Sequence, residues 1–316
     1  INLVKNNSSV SYFNGMQWIS AHLPDAVNDV KEYDGHLYAI TSTLTSSGKI
    51  HQYNEETRVW DLVGTAGNAI YDLIQTANGN FIAGGGYSGT YGDYYSIYSS
   101  VGDDASWTER MNLYRSKSSN INNTGAGIFR AGVAVEGETV LFGTSMNWTN
   151  IQTTTDDVNF KFKQQIYGNY EEAIYVNGKV IAVGEQRGSG SDHYASIATA
   201  VPGGNFTVTK LGYWDKLKDV AYGNGKYVAV GETGSLEAVV YTSTDGNTWT
   251  ETTLPAGMRS LNAIEFDEKN QRFVAGGFNG LFMSLDGKTW VSVKNTTSMI
   301  TDIVIADNEV NEYDYA

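Results

Sequence analysis

The chain has 316 residues, a formal net charge of −14 and a pI of about 4.6. This acidic balance argues against a broad basic groove for nucleic acid or anionic lipid, since both need clustered Lys and Arg. The sequence contains no cysteine, which excludes disulfides and thiolate metal sites, and no apolar run of about 18 residues that could span a membrane.

A short motif that closes on an aromatic residue recurs along the whole chain. In chain order the closing residues are Trp18, Trp60, Trp107, Phe160, Phe206, Trp249 and Trp290. Successive closing residues are 41 to 53 residues apart, the length of four strands with their turns, which is typical of a propeller blade. The 35 glycines and the 21 tyrosines, 11 phenylalanines and 7 tryptophans also fit a turn-rich β protein.

Each repeat contains two strand-like segments in which apolar residues alternate with polar or small ones. The first ends in a tight turn, as in EAIYVNG (172–178) and DVAYGNG (219–225). Asn-Gly and Asp-Gly tolerate the positive φ of a hairpin turn, so these segments predict the first strand of each blade. The second segment follows at once, as in VIAVGE and YVAVGE, and its small residues should let neighbouring sheets approach closely.

The remaining repeat is divided between the two ends of the chain. Residues 9–24 look like a third and a fourth strand, and residues 300–316 look like a first and a second strand. We therefore predict a single domain over residues 1–316, an all-β, seven-bladed β-propeller of four-stranded antiparallel blades whose last blade is closed by both termini. Because the chain begins with Ile1 rather than Met, we expect a processed protein or a domain of a larger polypeptide.

Two of the closing turns are nearly identical, TSTDGNTW (242–249) and MSLDGKTW (283–290). They resemble the Asp-box, or BNR-like, repeat of sialidase-like propellers, although Asp is followed directly by Gly in both and the other five turns match less well. The resemblance implies that Asp holds the turn between the third and fourth strands and that Trp packs between blades. Asp accepts backbone N–H bonds and a large aromatic fills gaps between sheets, so the motif is predicted to be structural.

Function is therefore expected on the opposite face, which we name the top face. It carries the loops from the second to the third strand and from the fourth strand to the next first strand. Aromatic rings there can stack on sugars or anchor proteins, and Arg can bind carboxylates, although such side chains can also simply pack on one another. The predicted ligand-binding residues are Trp148, Trp214, Tyr213, Arg130, Arg187, His193, Arg259 and Tyr71.

Three top-face loops are longer than their counterparts, at residues 85–96, 111–130 and 184–194. Variable loops on a rigid scaffold are common binding sites. All three belong to the second to fourth blades, so the ligand is expected either on that side or at the central channel.

The starts of the innermost strands carry a pattern of carboxylates. In chain order these positions hold Asp29, Asp72, Ala131, Glu172, Asp219, Asn262 and Asp302. Five carboxylates at a channel mouth could hold Ca²⁺ or supply a general acid and base. The preferred alternative is that each accepts backbone N–H bonds, because bare like charges in a ring repel one another. No other cofactor is predicted.

These patterns favour a non-catalytic propeller that attaches to a cell-surface glycan, or next to a surface protein, through its top-face loops. The chain resembles the propeller domains of bacterial surface proteins and of phage attachment fibres, which implies an extracellular location or the surface of a cell or virion. Nucleic acid and membrane insertion are not expected as modes of binding.

Two other functions stay open. A glycoside hydrolase could use Glu172 with Asp219 or Asp72 as its pair of carboxylates. Sialidases, however, carry an early Arg-Ile-Pro and three arginines that clamp a carboxylate, whereas the first Arg here is Arg58 and Arg-Ile-Pro does not occur. The other possibility is a structural or assembly scaffold, as in the photosystem assembly factors that share the Asp-box, but those use a basic patch that this chain lacks.

Overall fold

A computed structural model describes most of the chain. The described residues are 2–5, 9–13, 18–42, 47–88, 92–101, 107–116, 127–145, 147–188, 192–278, 280–295 and 299–305. Within these ranges 28 β-strands pair antiparallel in seven four-stranded sheets. In the same ranges, no helix has the length and apolar character needed to cross a membrane.

Each sheet is one blade. Blade 7 takes its second to fourth strands from the start of the chain: β1 (Asn2–Lys5), β2 (Ser9–Phe13) and β3 (Trp18–His22). Blade 1 contains β4 (Val27–Tyr33), β5 (His36–Thr41), β6 (Lys49–Asn54) and β7 (Val59–Thr65). Blade 2 contains β8 (Ile70–Gln75), β9 (Phe81–Ser88), β10 (Gly92–Ser99) and β11 (Thr108–Ser116). Blade 3 contains β12 (Ile128–Val135), β13 (Glu138–Ser145), β14 (Trp148–Thr154) and β15 (Lys161–Tyr167).

The second half of the chain continues the same order. Blade 4 contains β16 (Asn169–Val176), β17 (Lys179–Arg187), β18 (His193–Ala200) and β19 (Thr207–Tyr213). Blade 5 contains β20 (Asp215–Gly223), β21 (Lys226–Thr233), β22 (Ala238–Ser243) and β23 (Thr250–Glu251). Blade 6 contains β24 (Leu261–Asp267), β25 (Arg272–Gly277), β26 (Gly280–Ser284) and β27 (Val291–Asn295), and β28 (Ile300–Val304) completes blade 7.

The first strands of the blades contact one another in a closed ring. The order around the ring is β4, β8, β12, β16, β20, β24, β28 and back to β4. Because the first strands of the blades form this ring, the other three strands of each blade extend outward from a central channel. The strands of each blade lie against those of the next, and the apolar clusters lie between and within these sheets.

The blade that joins the two ends differs from the prediction and corrects it. The second strand is β1, which pairs with β2 on one side and with β28 on the other, with Leu3 opposite Ile303. The start of the chain thus supplies three strands and its end supplies one, whereas two strands from each were predicted. Residues 306–316, which were predicted to form part of the second strand, lie outside the described residues. A four-residue strand is too short to show alternation clearly, which explains the error.

Every first strand carries a β-bulge near its start, which places one extra residue at the mouth of the channel. The extra residues are Asn28, Tyr71, Arg130, Glu171, Lys218, Asn262 and Thr301. Sequence analysis placed Asn262 among the seven equivalent ring positions, and the register corrects this. Ala263, opposite Gly276, is the equivalent residue of blade 6.

Glycines in the second strands make room for these bulges. A Cβ on Gly231 would lie 1.9 Å from the carbonyl oxygen of Lys216, and a Cβ on Gly184 would lie 1.8 Å from that of Asn169. At Gly84, in contrast, a Cβ would lie 2.6 Å from the Cβ of Phe129 in the next blade. The small residues therefore serve the close approach of neighbouring sheets, as predicted, and also the bulge within their own sheet.

The repeated turns are held by hydrogen bonds that an Asp carboxylate accepts from backbone N–H groups. Asp245 Oδ1 accepts the N–H groups of Asn247 at 2.8 Å and Thr248 at 2.7 Å, and Asp286 repeats the arrangement at the same distances. Gly246 has a φ of 71°, in the left-handed region that favours glycine. These bonds lower the pKa of both carboxyl groups well below their usual range.

A third turn, in blade 3, has the same geometry although its sequence is less similar. Asp156 Oδ1 accepts the N–H groups of Val158 and Asn159 at 3.0 and 2.7 Å. Where the other copies have Gly, this one has Asp157 with a φ of 59°. Its Oδ2 accepts hydrogen bonds from three side chains of the first hairpin of blade 2, those of Thr76, Asn78 and Asn80.

The closing aromatics pack against the preceding blade. The Trp290 side chain is buried in a cluster with Val228 of blade 5. The ring of Phe206 lies 5.4 Å from that of Phe142 in blade 3, edge to face. Large rings thus fill the wedge between neighbouring sheets. The side chain of Trp18, which was predicted to do the same, lies outside the described part of the chain.

We predict that truncation before β28 disrupts the ring. Deletion of residues 300–316 removes the innermost strand of blade 7 and bares an edge of the sheet. Compared with deletion of residues 306–316, which keeps β28, it should lower the melting temperature by on the order of 10 °C or more. Equal melting temperatures of the two truncated proteins in a calorimetric scan would contradict this closure.

Candidate functional site

A cavity of about 480 Å³ opens at the top-face end of the channel. Its wall contains the seven bulge residues and all five predicted carboxylates. The bulges turn one residue per blade toward this space because the inserted residue leaves the regular pairing. The sequence-predicted ring and two of the predicted ligand-binding residues, Tyr71 and Arg130, therefore meet at one site.

The centre of the carboxylate ring is occupied by a lysine that sequence analysis missed. Lys31 Nζ lies 3.1 Å from Glu172 Oε2, 3.6 Å from Asp29 Oδ2 and 3.7 Å from Asp72 Oδ1. It comes two positions after Asp29 on β4, so strand alternation places both side chains on the channel side. One cation thus faces carboxylates from three blades.

The ionisation of these groups is strongly coupled. Burial alone would lower the pKa of Lys31, but the carboxylates of Asp29, Glu172 and Asp72 hold it well above its ordinary value. Burial raises the pKa of Asp72 well above its usual range, against the effect of Lys31. Burial likewise raises the pKa of Glu265, which is on β24, to about 7. The channel therefore combines a firmly charged lysine with carboxyl groups that resist ionisation.

Two carboxylates of the ring fasten neighbouring blades together. Asp219 accepts the N–H of Val220 at 2.7 Å and, with its other oxygen, the N–H of Ile264 in blade 6 at 2.6 Å. Asp302 Oδ2 accepts the N–H of Val30 in blade 1 at 2.8 Å. Such bonds between first strands stabilise the ring, and they engage these oxygens in structural contacts.

Asp29 and Asp72 have fewer hydrogen-bond partners than Asp219 and Asp302. Both residues are buried, and the Oδ2 atom of each is buried without a hydrogen-bond partner. The Lys31 ammonium is close enough to attract them but beyond hydrogen-bonding distance. This pair lies where the walls of blades 1 and 2 meet the cavity.

The rim above the carboxylate ring carries three charged bulge residues, Arg130, Glu171 and Lys218, together with Lys216. The Arg130 guanidinium lies over the Tyr71 ring, 5.0 Å from its centroid. Glu171 contacts Arg130 at 3.9 Å and Lys216 at 3.3 Å, so two cations share one carboxylate. Lys218 is engaged by Glu232 at 2.7 Å and also bonds to Ser260 and Asn262.

The possible Ca²⁺ of the channel finds little support in this geometry. Among the described residues, no group of three or more His, Asp or Glu side chains is arranged to hold a metal ion. The Lys31 ammonium lies among three of the predicted ligands and already offsets part of their negative charge. The remaining ring oxygens of Asp219 and Asp302 accept backbone N–H groups.

A second site lies on the top face of blades 3 and 4, where large aromatic side chains are exposed. The exposed fractions are 46% for Trp148, 41% for Trp214 and 53% for Tyr213. The Trp148 ring meets that of Tyr167 edge to face at 4.9 Å, and the rings of Tyr213 and Trp214 meet in the same way at 5.7 Å. We name these four residues the aromatic surface.

Polar side chains connect the two halves of the aromatic surface. The Tyr167 hydroxyl donates to the carbonyl oxygen of Arg187. One oxygen of the buried Glu185 carboxylate forms an ion pair with the Arg187 guanidinium at 3.0 Å. The other oxygen lies 2.8 Å from His193 Nδ1. The His193 ring lies 6.1 Å from that of Trp214. Five predicted residues thus lie along one continuous path of contacts.

The backbone around Trp214 fixes the position of its ring. Trp214 has a φ of 67°, uncommon for a large side chain, and it directly precedes β20. Its N–H donates to the carbonyl oxygen of His193 at 2.6 Å, and its own carbonyl accepts the N–H of Gly234 at 2.6 Å. The residue is therefore pinned between loops of blades 4 and 5, which holds the exposed indole in place.

Arg259 lies apart from both sites. Its guanidinium is 5.5 Å from the ring centroid of Phe278, and its Nε donates to the carbonyl of Leu236 at 3.1 Å. Of the eight predicted ligand-binding residues, two therefore lie at the channel mouth, three belong to the aromatic surface, Arg187 and His193 lie beside it, and Arg259 lies elsewhere.

Parts of the three long loops lie outside the described residues. These parts are residues 89–91, 117–126 and 189–191. Sequence analysis missed Glu185, although this residue has a readable signal. Glu185 is a carboxylate that directly follows the buried apolar run VIAVG (180–184) of a second strand.

We predict that Glu265 makes the stability depend on pH. Burial raises its pKa from 4.5 to about 7, so the folded state binds this proton more tightly than the unfolded state. Its contribution is therefore fully present below about pH 4.5 and is lost as the pH rises through 7. Glu265→Gln should raise the free energy of unfolding at pH 8 by about 3 kcal/mol and flatten the dependence of stability on pH.

Urea unfolding between pH 4.5 and pH 8 measures the effect, with Glu56→Gln at an exposed turn as the control. An unchanged slope in Glu265→Gln would contradict the prediction.

We also predict that Lys31→Met destabilises the fold because it leaves the channel carboxylates without a counter-charge. The expected cost at pH 7 is about 3–5 kcal/mol. The cost should shrink at acid pH, where the carboxyl groups become neutral. Lys179→Met, which removes a half-buried lysine outside the channel that donates to the carbonyl oxygen of Asp245, is the matched control. A cost that is the same at acid and neutral pH would show that the charge of Lys31 is not what matters.

Comparison with known proteins identifies the architecture. No known family model matches the chain, and no curated protein matches it. The structure is similar to that of Sqt1 from Saccharomyces cerevisiae, with a TM-score of 0.58 and 11% identity over 94% of this chain and 82% of that one. It is also similar to the WD40 β-propeller domain of Doa1, with a TM-score of 0.56 and 10% identity over 89% of this chain and 87% of that one.

A weaker likeness links the chain to an α-L-arabinanase from Penicillium chrysogenum complexed with arabinobiose. The TM-score is 0.46, with 17% identity over 71% of this chain and 82% of that one, too low to support an inference. The first two likenesses concern the fold alone. The chain therefore has the all-β fold of a β-propeller with four-stranded antiparallel blades.

Proposed function

We propose that the protein is a non-catalytic binding propeller that recognises a cell-surface glycan through the aromatic surface of blades 3 and 4. The observation that carries this proposal is the cluster of exposed rings, in which Trp148, Trp214 and Tyr213 are each about half exposed and held in place. Aromatic side chains of this size are seldom left in water without a partner that covers them.

The chemistry of the aromatic surface suits a sugar. Flat aromatic faces pack against the C–H faces of pyranose rings, and nearby polar groups then bind the hydroxyls. Arg187 and His193 lie beside the rings, and Glu185 fixes the orientation of both. The positive charge of Arg187 is largely offset by this buried carboxylate, which favours a neutral or weakly acidic glycan over a highly charged one.

The repeated turns support membership of the Asp-box propellers as part of this proposal. In three turns, in blades 3, 5 and 6, two successive backbone N–H groups donate to the same Asp carboxylate oxygen. Together with the acidic, cysteine-free composition, they are consistent with an attachment role outside the cell or on a virion. A surface protein is the next candidate ligand, and the chain would then act within a larger polypeptide or assembly.

A glycoside hydrolase is the second candidate, and one observation favours it. Asp72 lines the cavity and has a raised pKa because it is buried, as a general acid needs. Against it, Glu172 contacts Lys31, and Asp219 accepts hydrogen bonds from two backbone N–H groups. Both candidates for the second catalytic carboxylate are therefore already engaged in structural contacts. Release of reducing sugar from polysaccharides that is lost in Asp72→Asn would favour the enzyme over the binding module.

We predict that the two exposed tryptophans are needed for binding but not for folding. Trp148→Ala and Trp214→Ala should each cost less than about 1 kcal/mol of stability. Each should weaken binding to glycans retained on an array by about tenfold or more, since aromatic anchors dominate such contacts. Biolayer interferometry on the immobilised glycan measures the affinity, and denaturant unfolding measures the stability.

Two matched variants make this test specific. Phe162→Ala removes an exposed ring of blade 3 outside the aromatic surface and should leave binding unchanged. Trp290→Ala removes a buried blade-closing ring and should cost about 3–5 kcal/mol of stability. Binding that survives both exposed tryptophan variants, or that is lost equally in Phe162→Ala, would contradict the proposed site.

A further inference from the structure

The channel mouth carries a second set of unsatisfied groups that the proposed glycan site does not use. At its floor, the Oδ2 atoms of Asp29 and Asp72 are buried without a hydrogen-bond donor. A buried oxygen that accepts no hydrogen bond costs roughly 1–3 kcal/mol, more when it is charged. Both residues line a cavity of about 480 Å³, large enough for a small molecule.

Lys31 does not meet this need. Its Nζ is 3.6 Å from Asp29 Oδ2 and 3.7 Å from Asp72 Oδ1, both beyond the usual range of an N–H···O bond. Its shortest contact is the 3.1 Å bond to Glu172 Oε2. Lys31 therefore supplies charge but no hydrogen bond to the pair. A ligand group with several N–H donors, such as a primary ammonium, would supply them.

The rim of the same cavity is positively charged on one side, whereas its floor is acidic. Arg130 and Lys216 share the single carboxylate of Glu171, which leaves one positive charge without a full partner. The Arg130 side chain is 40% exposed and that of Lys216 is 31% exposed, so both can meet a ligand. The Tyr71 ring beneath Arg130 holds its guanidinium over the mouth. Such a guanidinium, aided by a lysine, is well suited to a carboxylate.

We propose that the channel mouth binds a small zwitterion that carries a primary ammonium and a carboxylate. The ammonium lies between Asp29 and Asp72, and the carboxylate contacts Arg130 and Lys216. This site is separate from the aromatic surface and does not rest on the proposed glycan binding. The competing account is that the two orphaned oxygens share a proton and need no ligand.

Isothermal titration calorimetry on the full chain decides between these accounts. Glycine, 4-aminobutyrate and 6-aminohexanoate form a series in which the distance between the two charges increases, and methylammonium and acetate are the separate halves. At least one member of the series should bind about tenfold tighter than either half, because it engages both charged sets at once. Absence of binding by all three zwitterions would overturn the proposal and favour the shared proton.

Variants test which residues bind the carboxylate end of the ligand and which bind its ammonium end. Arg130→Gln, at an exposed side chain whose loss should not affect folding, should weaken the zwitterion about tenfold and leave methylammonium unchanged. Asp72→Asn should weaken both, provided that its melting curve shows a folded protein. Trp214→Ala is the control and should leave zwitterion binding unchanged, even if it abolishes glycan binding. Full zwitterion affinity in Arg130→Gln would overturn the proposed orientation.

Discussion

Five carboxylates face one narrow channel, and the ring of first strands can close only if their mutual repulsion is relieved. Lys31 does this from a single strand, since its ammonium faces carboxylates of blades 1, 2 and 4. Asp219 and Asp302 accept hydrogen bonds from backbone N–H groups of the next blade, so these carboxylates also link neighbouring blades. The channel thus concentrates like charge and also connects neighbouring blades through these hydrogen bonds.

The bulge in each first strand links this constraint to the top face. It inserts one residue per blade above the carboxylate ring, so that a rim of mixed charge lies over a mainly acidic floor. The same face carries the loops that present Trp148 and Trp214, whose backbones are set by pairing with neighbouring loops. A rigid closed ring therefore positions two chemically different surfaces, one polar and central, the other aromatic and off the axis.

The blade pattern could be predicted because a closing aromatic and a tight turn recur at a nearly constant spacing. The strand β1 (Asn2–Lys5) could not, because four residues are too few to show alternation. The bulge shifts the register by one residue, so Asn262 was assigned to a position that Ala263 holds. Lys31 was missed because it occurs in one blade only and a repeat-based alignment hides such exceptions, although its alternation with Asp29 was visible.

The central claim, that a ligand covers the aromatic surface, can be tested most directly by NMR on protein labelled with ¹⁵N-tryptophan. The chain has 7 tryptophans, and each gives its own indole N–H signal. On titration with a glycan selected from the array, the signals of Trp148 and Trp214 should shift with the same affinity, while those of Trp249 and Trp290 stay in place. Shifts confined to the blade-closing tryptophans, or no shift of Trp148 and Trp214 at saturation, would contradict the account.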